Sequence, residues 1–560
     1  MTKCFASSSE IGRVTTRCDI NQAIALLNGV EDTIDEGVFN EVSKLCPSGG
    51  LVVHHNGNGT VQVMAEDVHS VVFAATNRGK TRRVVFPLAY SDILSGTSLV
   101  VNDMKGEIYA GVKDLLALMG YTVYVLDLRQ PAKSPHRYNP ITIAWDEWNN
   151  GNKDAAFTYL RSFGLSLFCQ LAAATNDMFW TNTATDYFVG LSMGMLEAGV
   201  SREAFTLESI MAMDRNGNKG PGPRSLNEFF DAYKNTVAYQ SVSGTLDAPN
   251  DTRASILSVF RQPLSLYTGQ LGLMDVLARS DFGIKDIAQK RTAVFLISPD
   301  ETHSLGPVVV GILNQIMSAL ISYAQVEHGG RLPCRVDFIL DEFGNLPAPI
   351  PEFDAIISAA RSRNIRLHVV LQSIAQLNNV YGEHQKNVIL DNITEWVYLG
   401  TRGLDFLKHI SELMGTTVTE SGKSEPVMDI SKLQHIEKRA GESEAVILIG
   451  CLKPFVAALK DYSCFETPRS MLRFEAGKEV IMREVFDIKQ SIDEMRKKRI
   501  AAMIEAHDLD KLEDDMSNAA ASNKDWTLEE TEDFFREAIS KRMDEVQSGR
   551  EETEQSDPES

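Results

Sequence analysis

Over the first 45 residues only AIALLNGVEDTIDEGVFNEVSKL, Ala23 to Leu45, carries helical spacing of apolar positions. LVVHHNGNGTVQVM, Leu51 to Met64, then alternates apolar and polar residues around Asn-Gly-Asn-Gly, which predicts a β-hairpin. His54 and His55 lead into that turn and read as strand-end residues before they read as metal ligands. From His69 the rhythm changes. HSVVFAAT, SLVVND and TVYVLDL are short apolar runs that predict strands. EIYAGVKDLLALMG between them predicts a helix closed by Gly120. Strands alternating with helices imply a parallel sheet covered on both faces.

Between about Asn150 and Ile287 the strand signal fades. AFTYLRSFGLSLFCQLAAAT, TATDYFVGLSMGMLEAG and TRASILSVFRQPLSLYT have helical spacing, with DRNGNKGPGPRS as an intervening loop. The strand rhythm returns in RTAVFLISP, RVDFILDE, RLHVVLQS, EWVYLGT and EAVILIG, with helices such as PVVVGILNQIMSALISYAQ and GLDFLKHISELMG between most of them. The expected division is 1–67, an N-terminal helix and hairpin; 68–148, the first part of an α/β domain; 149–287, an all-α domain; 288–470, the second part of the α/β domain; and 471–560, a helical segment and tail. One parallel-dominated sheet interrupted by one helical insert is the simplest assembly.

At 560 residues the chain is too long for one core, and 43% hydrophobic with 23% charged residues is ordinary for a globular protein. No run of about 18 consecutive apolar residues occurs, so no membrane span is expected. The N-terminus lacks a signal-peptide core, and a cytoplasmic location is expected. Cysteines 4, 18, 46, 169, 334, 451 and 464 form no C-x-x-C pair. Zinc and disulfides are therefore not indicated, and most of the thiols are expected to be buried. Asp508 to Ser560 holds 18 acidic against 6 basic residues, a balance of −12, leaving −9 of the total −21 to the preceding residues. A nucleic-acid-coated surface is excluded, but a local basic patch or a basic pore is not. In the tail, Thr527 and Glu530 form a capping box opening a helix with Leu528, Phe534, Phe535, Ile539 and Met543 as its apolar group. Docking on the protein itself and binding a partner remain equally open for it.

The chemistry gathers at strand ends. AATNRGKT, Ala74 to Thr81, ends as a phosphate loop ends, but begins with Ala74 where glycine is usual. Backbone N–H groups of Ala75, Thr76, Asn77, Arg78 and Gly79 could cradle phosphates at a helix start. Lys80 would reach the outer phosphates and Thr81 would bind Mg²⁺. Asn77 tolerates a left-handed conformation, and Arg78 can point outward. RVDFILDEFGN places Asp341 and Glu342 at the C-terminal end of an apolar strand, where open α/β sheets bind ligands. Asp341 can hold Mg²⁺ through water and Glu342 can polarise the attacking water. Taken alone the two read equally as surface carboxylates capping a strand; the upstream Gly-Lys-Thr favours a site. Gln372 ends the next strand and can sense a terminal phosphate. Arg361 and Arg363 precede that strand, either as a basic helix cap or as arginines entering a neighbouring subunit's site.

These stretches, together with VVNDMKGEIY, SPHRYNP, NDMFWTNTATDYF and RSRNIRLHVVLQSIAQLNNVYG, resemble in order and spacing the coupling proteins of type IV secretion and conjugation, the TraG/TraD group, in its Gram-positive form. The resemblance covers about Val71 to Thr417. It implies a RecA-like P-loop ATPase using ATP and Mg²⁺, assembled as a homo-hexamer, with the all-α domain helping to choose substrates. It implies delivery of a relaxase–single-stranded DNA complex, or a protein, to a secretion channel. Lys80 and Thr81 match the family's phosphate-loop positions, Asp341 and Glu342 its Mg²⁺-site and water-activating acids, Gln372 its phosphate sensor and Arg361 its candidate arginine finger. The missing first glycine and the Asn77-Arg78 pair depart from the pattern. So does the lack of N-terminal transmembrane helices, which implies either a separate membrane partner recruiting the ring to the inner face or a free cytoplasmic ring. DNA binding is expected to be indifferent to sequence. The alternatives are a weakly hydrolysing recruitment adaptor of the same system, and a DNA translocase of the FtsK/HerA kind.

Overall fold

The computed structural model describes residues 5–31, 34–175, 178–219, 225–299, 304–346, 348–418, 422–439, 441–450, 452–471 and 482–505. The tail helix around Phe534 and Phe535, with the acidic residues about it, lies outside the described residues, as do Cys4 and Cys451. Near the N-terminus β1 (Thr15–Asp19), β2 (Val52–Gly57) and β3 (Thr60–Met64) form an antiparallel sheet in the order β1-β3-β2. The β2–β3 turn places Asn58 at φ 49° and Gly59 at φ 74°. Positive φ at both central residues is the geometry an Asn-Gly hairpin selects. His55 stacks on Phe465 with ring centroids 6.0 Å apart, and burial pulls its pKa down to about 4, so it is a neutral packing residue.

The cysteines depart from expectation. Cys18 on β1 and Cys46, at the end of the helix Glu36–Leu45, form a disulfide across 28 residues. Adjacent-pair spacing cannot reveal it, because the contact arises only when the helix packs back on the small sheet. Of the other described thiols, Cys169 and Cys334 are half-buried and Cys464 is exposed, not buried.

The main sheet is ten-stranded. It is built from β4 (His69–Ala74), β5 (Ser98–Asn102), β6 (Thr122–Asp127), β7 (Thr292–Ile297), β8 (Val336–Leu340), β9 (Ile365–Leu371) and β10 (Ile393–Gly400). Beyond the separate two-stranded ribbon β11 (Thr416–Val418) and β12 (Ser424–Pro426), it gains β13 (Lys438–Arg439), β14 (Glu442–Ile449) and β15 (Phe455–Lys460). Its order is β13-β14-β10-β4-β9-β8-β5-β7-β6, with β15 on β14. From β10 to β6 every pairing is parallel; β14 joins β10 antiparallel. Every residue of β4, β5, β7, β8 and β9 is buried, which is why these strands read as continuous apolar runs.

The helix Gly306–Glu327 is the one described helix long and apolar enough to cross a membrane, but 83% of its apolar window is buried inside the fold. Asn314 and Gln315 interrupt its apolar run, so no unbroken apolar stretch marks it in the sequence. A Cβ on Gly311 would stand 2.6 Å from the Phe163 ring, so glycine lets the helix Lys153–Thr175 approach.

At the N-terminal ends of the strands lies a buried ionic network. Arg366 on β9 pairs with Asp337 on β8 and reaches Asp92 Oδ1 at 3.4 Å. Its Nη1 donates to the carbonyls of Gly49 (3.1 Å) and Met64 (3.2 Å), tying the small sheet to the large one. His368 Nε2 meets Asp337 at 3.2 Å. The Arg366 guanidinium holds Asp337 far below the usual carboxylate range, whereas burial pushes Asp92 up.

Among the described residues from Thr142 to Gln289 every regular element is a helix. The chain forms two compact units, Met1–Phe188 with Ala254–Arg483, and Val189–Arg253 with Glu484–Ser560. Within the second unit the helix Ile488–Glu505 ion-pairs through Arg496 with Glu228, and Phe486 meets Phe229 edge-on.

Candidate functional site

The loop Ala74–Thr81 leaves the C-terminal end of β4. Ala74 is a strand residue paired with Gly400, and Ala75 N donates to Gly400 O at 2.9 Å. The left-handed positions fall instead on Asn77 (φ 63°) and Gly79 (φ 83°). Arg78 does not point freely outward. Its Nη1 donates to Ile436 O at 3.2 Å, and its guanidinium covers Gly400. Lys438 on β13 donates to the Asn77 carbonyl and approaches Asn77 Oδ1 at 3.3 Å.

After Lys80 the chain makes a wide π-type turn, Thr81–Val85, before the α-helix Phe86–Ser95. Pro87 has no N–H to give the carbonyl four residues back, and Phe86 N donates to Thr81 O, so the first turn widens. Arg82 forks onto Asp461 at 2.6 and 2.8 Å and lies 4.8 Å from the Tyr462 ring centre.

The acidic strand β8 is not beside β4; β9 lies between them. Lys80 bridges the gap. Its Nζ pairs with Glu342 and lies 3.8 Å from Asp341 Oδ1. All three side chains are nearly buried, at 12% exposed or less. Glu342 holds φ 53°, unusual for a non-glycine residue, and that turn aims its carboxylate across β9. The end of β9 supplies Gln372, whose Nε2 donates to Glu342 Oε2 at 3.0 Å. Thr76 Oγ1 donates to Gln372 Oε1 at 3.4 Å, which closes the ring back to the loop. The ends of β4, β9 and β8 therefore converge on one point at their C-terminal side.

Two residues without an assigned role brace this ring. Asn345 Nδ2 donates to Glu342 Oε2 at 3.0 Å, and Gln376 Nε2 donates to Asn345 Oδ1 at 3.0 Å. Gln376 Oε1 also accepts from the Gln372 backbone at 3.2 Å. The i,i+3 and i,i+4 spacings of Glu342–Asn345 and Gln372–Gln376 were available signals.

Arg361 stands elsewhere. It is exposed in the turn before β9, whereas Gln372 follows its end, so a strand of about 20 Å separates it from this site.

Burial pushes the Asp341 carboxyl up to about 6, against the pull of Lys80. Asp341 Oδ1 is buried with no hydrogen-bond donor. That orphaned hard oxygen, with the Thr81 hydroxyl at the loop end, fits a small divalent cation such as Mg²⁺.

The sequence profile of the family described as type IV secretory system conjugative DNA transfer matches residues 22–444. The chain belongs to that family. Protein VirD4 of Rhizobium rhizogenes is 25% identical over 361 residues, covering 64% of this chain and 50% of the relative. Protein VirD4 of Agrobacterium fabrum is 24% identical over 361 residues, 64% and 51% of the two chains. The chain thus spans about half the length of these curated relatives. Among solved structures, the plasmid coupling protein TrwB with the non-hydrolysable ATP analogue ADPNP superposes with a TM-score of 0.55 at 15% identity, covering 77% of this chain and 93% of that one. TrwB with ADP and Mg²⁺ gives 0.54 at 15% identity, covering 79% and 95%. The chain therefore shares the RecA-like α/β fold of these structures.

Proposed function

We propose that this chain is an ATP-hydrolysing coupling protein. It recruits single-stranded DNA with its relaxase, or a protein substrate, and delivers it to a type IV secretion channel. The observation that carries the reading is the convergence of Lys80, Asp341, Glu342 and Gln372 from three neighbouring strands in a member of this family. Segments 68–148 and 288–470 supply this site, and 149–287 is assigned to substrate choice. Six copies form a ring, and Arg361 serves the neighbour's site. DNA is gripped without regard to sequence, and a channel or membrane-anchor protein receives the ring at the membrane.

In the geometry described, Lys80 and Glu342 neutralise each other. Nucleotide phosphates attract the Lys80 ammonium, and that releases the Glu342 carboxylate to accept a proton from the attacking water. Gln372, already bonded to Glu342, orients that water. Thr81 and Asp341 would hold Mg²⁺, which neutralises phosphate charge when bound. Loop N–H groups from Ala75 to Gly79 hold the phosphates.

The test is steady-state ATP hydrolysis with and without single-stranded DNA, beside Lys80→Ala and Glu342→Gln. Hydrolysis stimulated by DNA and lost in both variants supports the motor. Wild type no faster than either variant removes hydrolysis and leaves a recruitment adaptor.

A further inference from the structure

Arg83 is 5% exposed, two residues beyond the loop. Its Nη1 sits 1.7 Å and its Cζ 2.9 Å from where a Cβ on Gly79 would stand, so the guanidinium points its Nη1 tip at the loop glycine. Its Nε is buried without an acceptor. Its side chain reaches the carbonyl of Arg439, at 3.5 Å from Nη2, and no carboxylate among the described residues lies within ion-pair distance. Its neighbour Arg82 has Asp461, and the buried Arg366 has Asp337 and Asp92. A buried guanidinium without a counter-ion is costly, and an arriving anion relieves it.

The two cations of the loop diverge. Lys80 reaches across β9 toward β8, whereas Arg83 turns toward the β13–β14 side, beyond β10. We infer that Arg83 is a second phosphate-binding cation of this site, taking the inner phosphates of a bound nucleoside diphosphate or triphosphate while Lys80 takes the outermost. The assignment rests on the nucleotide reading of the loop. It also accounts for Gly79: a side chain there would displace the guanidinium.

The experiment is titration of fluorescent ADP and a fluorescent non-hydrolysable ATP analogue into the full chain, with thermal unfolding of the nucleotide-free protein alongside. Arg83→Met should weaken both nucleotides by the same factor, about tenfold or more, as for one charged hydrogen bond. Lys80→Met should weaken the triphosphate more than the diphosphate. Arg83→Lys should bind more tightly than Arg83→Met. Nucleotide-free Arg83→Met should melt no lower than wild type, because it loses an uncompensated charge. Wild-type affinity in Arg83→Met overturns the assignment while leaving the nucleotide reading intact. A lowered melting temperature of the nucleotide-free variant makes Arg83 a structural prop and also overturns it. Wild type that binds neither nucleotide overturns the nucleotide reading and this assignment together.

Discussion

Glu395 on β10 is 2% exposed, and its Oε1 has no hydrogen-bond partner. Burial pushes its pKa from 4.5 up to about 8; Arg366 pulls it down, while Glu66 and Asp337 push it further up. One buried guanidinium is thus shared by Asp337, Asp92 and Glu395. Between pH 4.5 and 8 the folded chain keeps a proton on Glu395 that the unfolded chain has released. The unfolded state binds fewer protons there, so stability falls as pH rises through that window. The slope is about 1.4 kcal/mol per pH unit, accumulating to about 5 kcal/mol by pH 8. Glu395→Gln removes this titration while keeping the shape. It should match wild type near pH 5, exceed it by about 3 kcal/mol at pH 7, and level off at about 5 kcal/mol above pH 8. Guanidinium unfolding at pH 5, 7 and 8.5, followed by tryptophan fluorescence, measures this; Trp396 is the next residue. A wild-type-minus-variant difference that stays constant with pH refutes the reasoning.

Other expectations follow from the same contacts. Arg366→Met leaves Asp337 and Asp92 buried without their cation and should cost about 3–5 kcal/mol in the same unfolding measurement. Gln376→Ala unties Asn345 from Gln372, and should lower kcat several-fold with nucleotide affinity unchanged; equal loss of both, in parallel kinetic and binding assays, would count against a bracing role. Asn77→Val forces a β-branched residue into positive φ and should weaken nucleotide binding, whereas Asn77→Gly should preserve it. Gly311→Val meets the Phe163 ring and should lower the melting temperature by several degrees.

Much of the sheet was legible because buried parallel strands must be apolar throughout, and turn residues bound each run. Asp341 and Glu342 could be placed at a strand end for the same reason. Their partnership with Lys80 depends on strand order, since β9 stands between β4 and β8, and local periodicity carries no information about order. The brace formed by Asn345 and Gln376 needed the left-handed turn at Glu342, which no propensity favours. Arg83 looks like an ordinary surface charge until the wide turn made by Pro87 and the return of β13 enclose it. Cys18 and Cys46 meet through packing alone, whereas the position of Arg361 at the opposite end of β9 from Gln372 was already readable from their places before and after that apolar run.

Ala74 also bears on protein engineering. A designer aligning this loop with the common pattern would restore the first glycine. In this fold that position is extended, hydrogen-bonded strand, and the awkward angles have moved to Asn77 and Gly79. Ala74→Gly would relieve no strain and would loosen the unfolded chain, at about 0.5–1 kcal/mol. Matching the consensus would make this loop weaker.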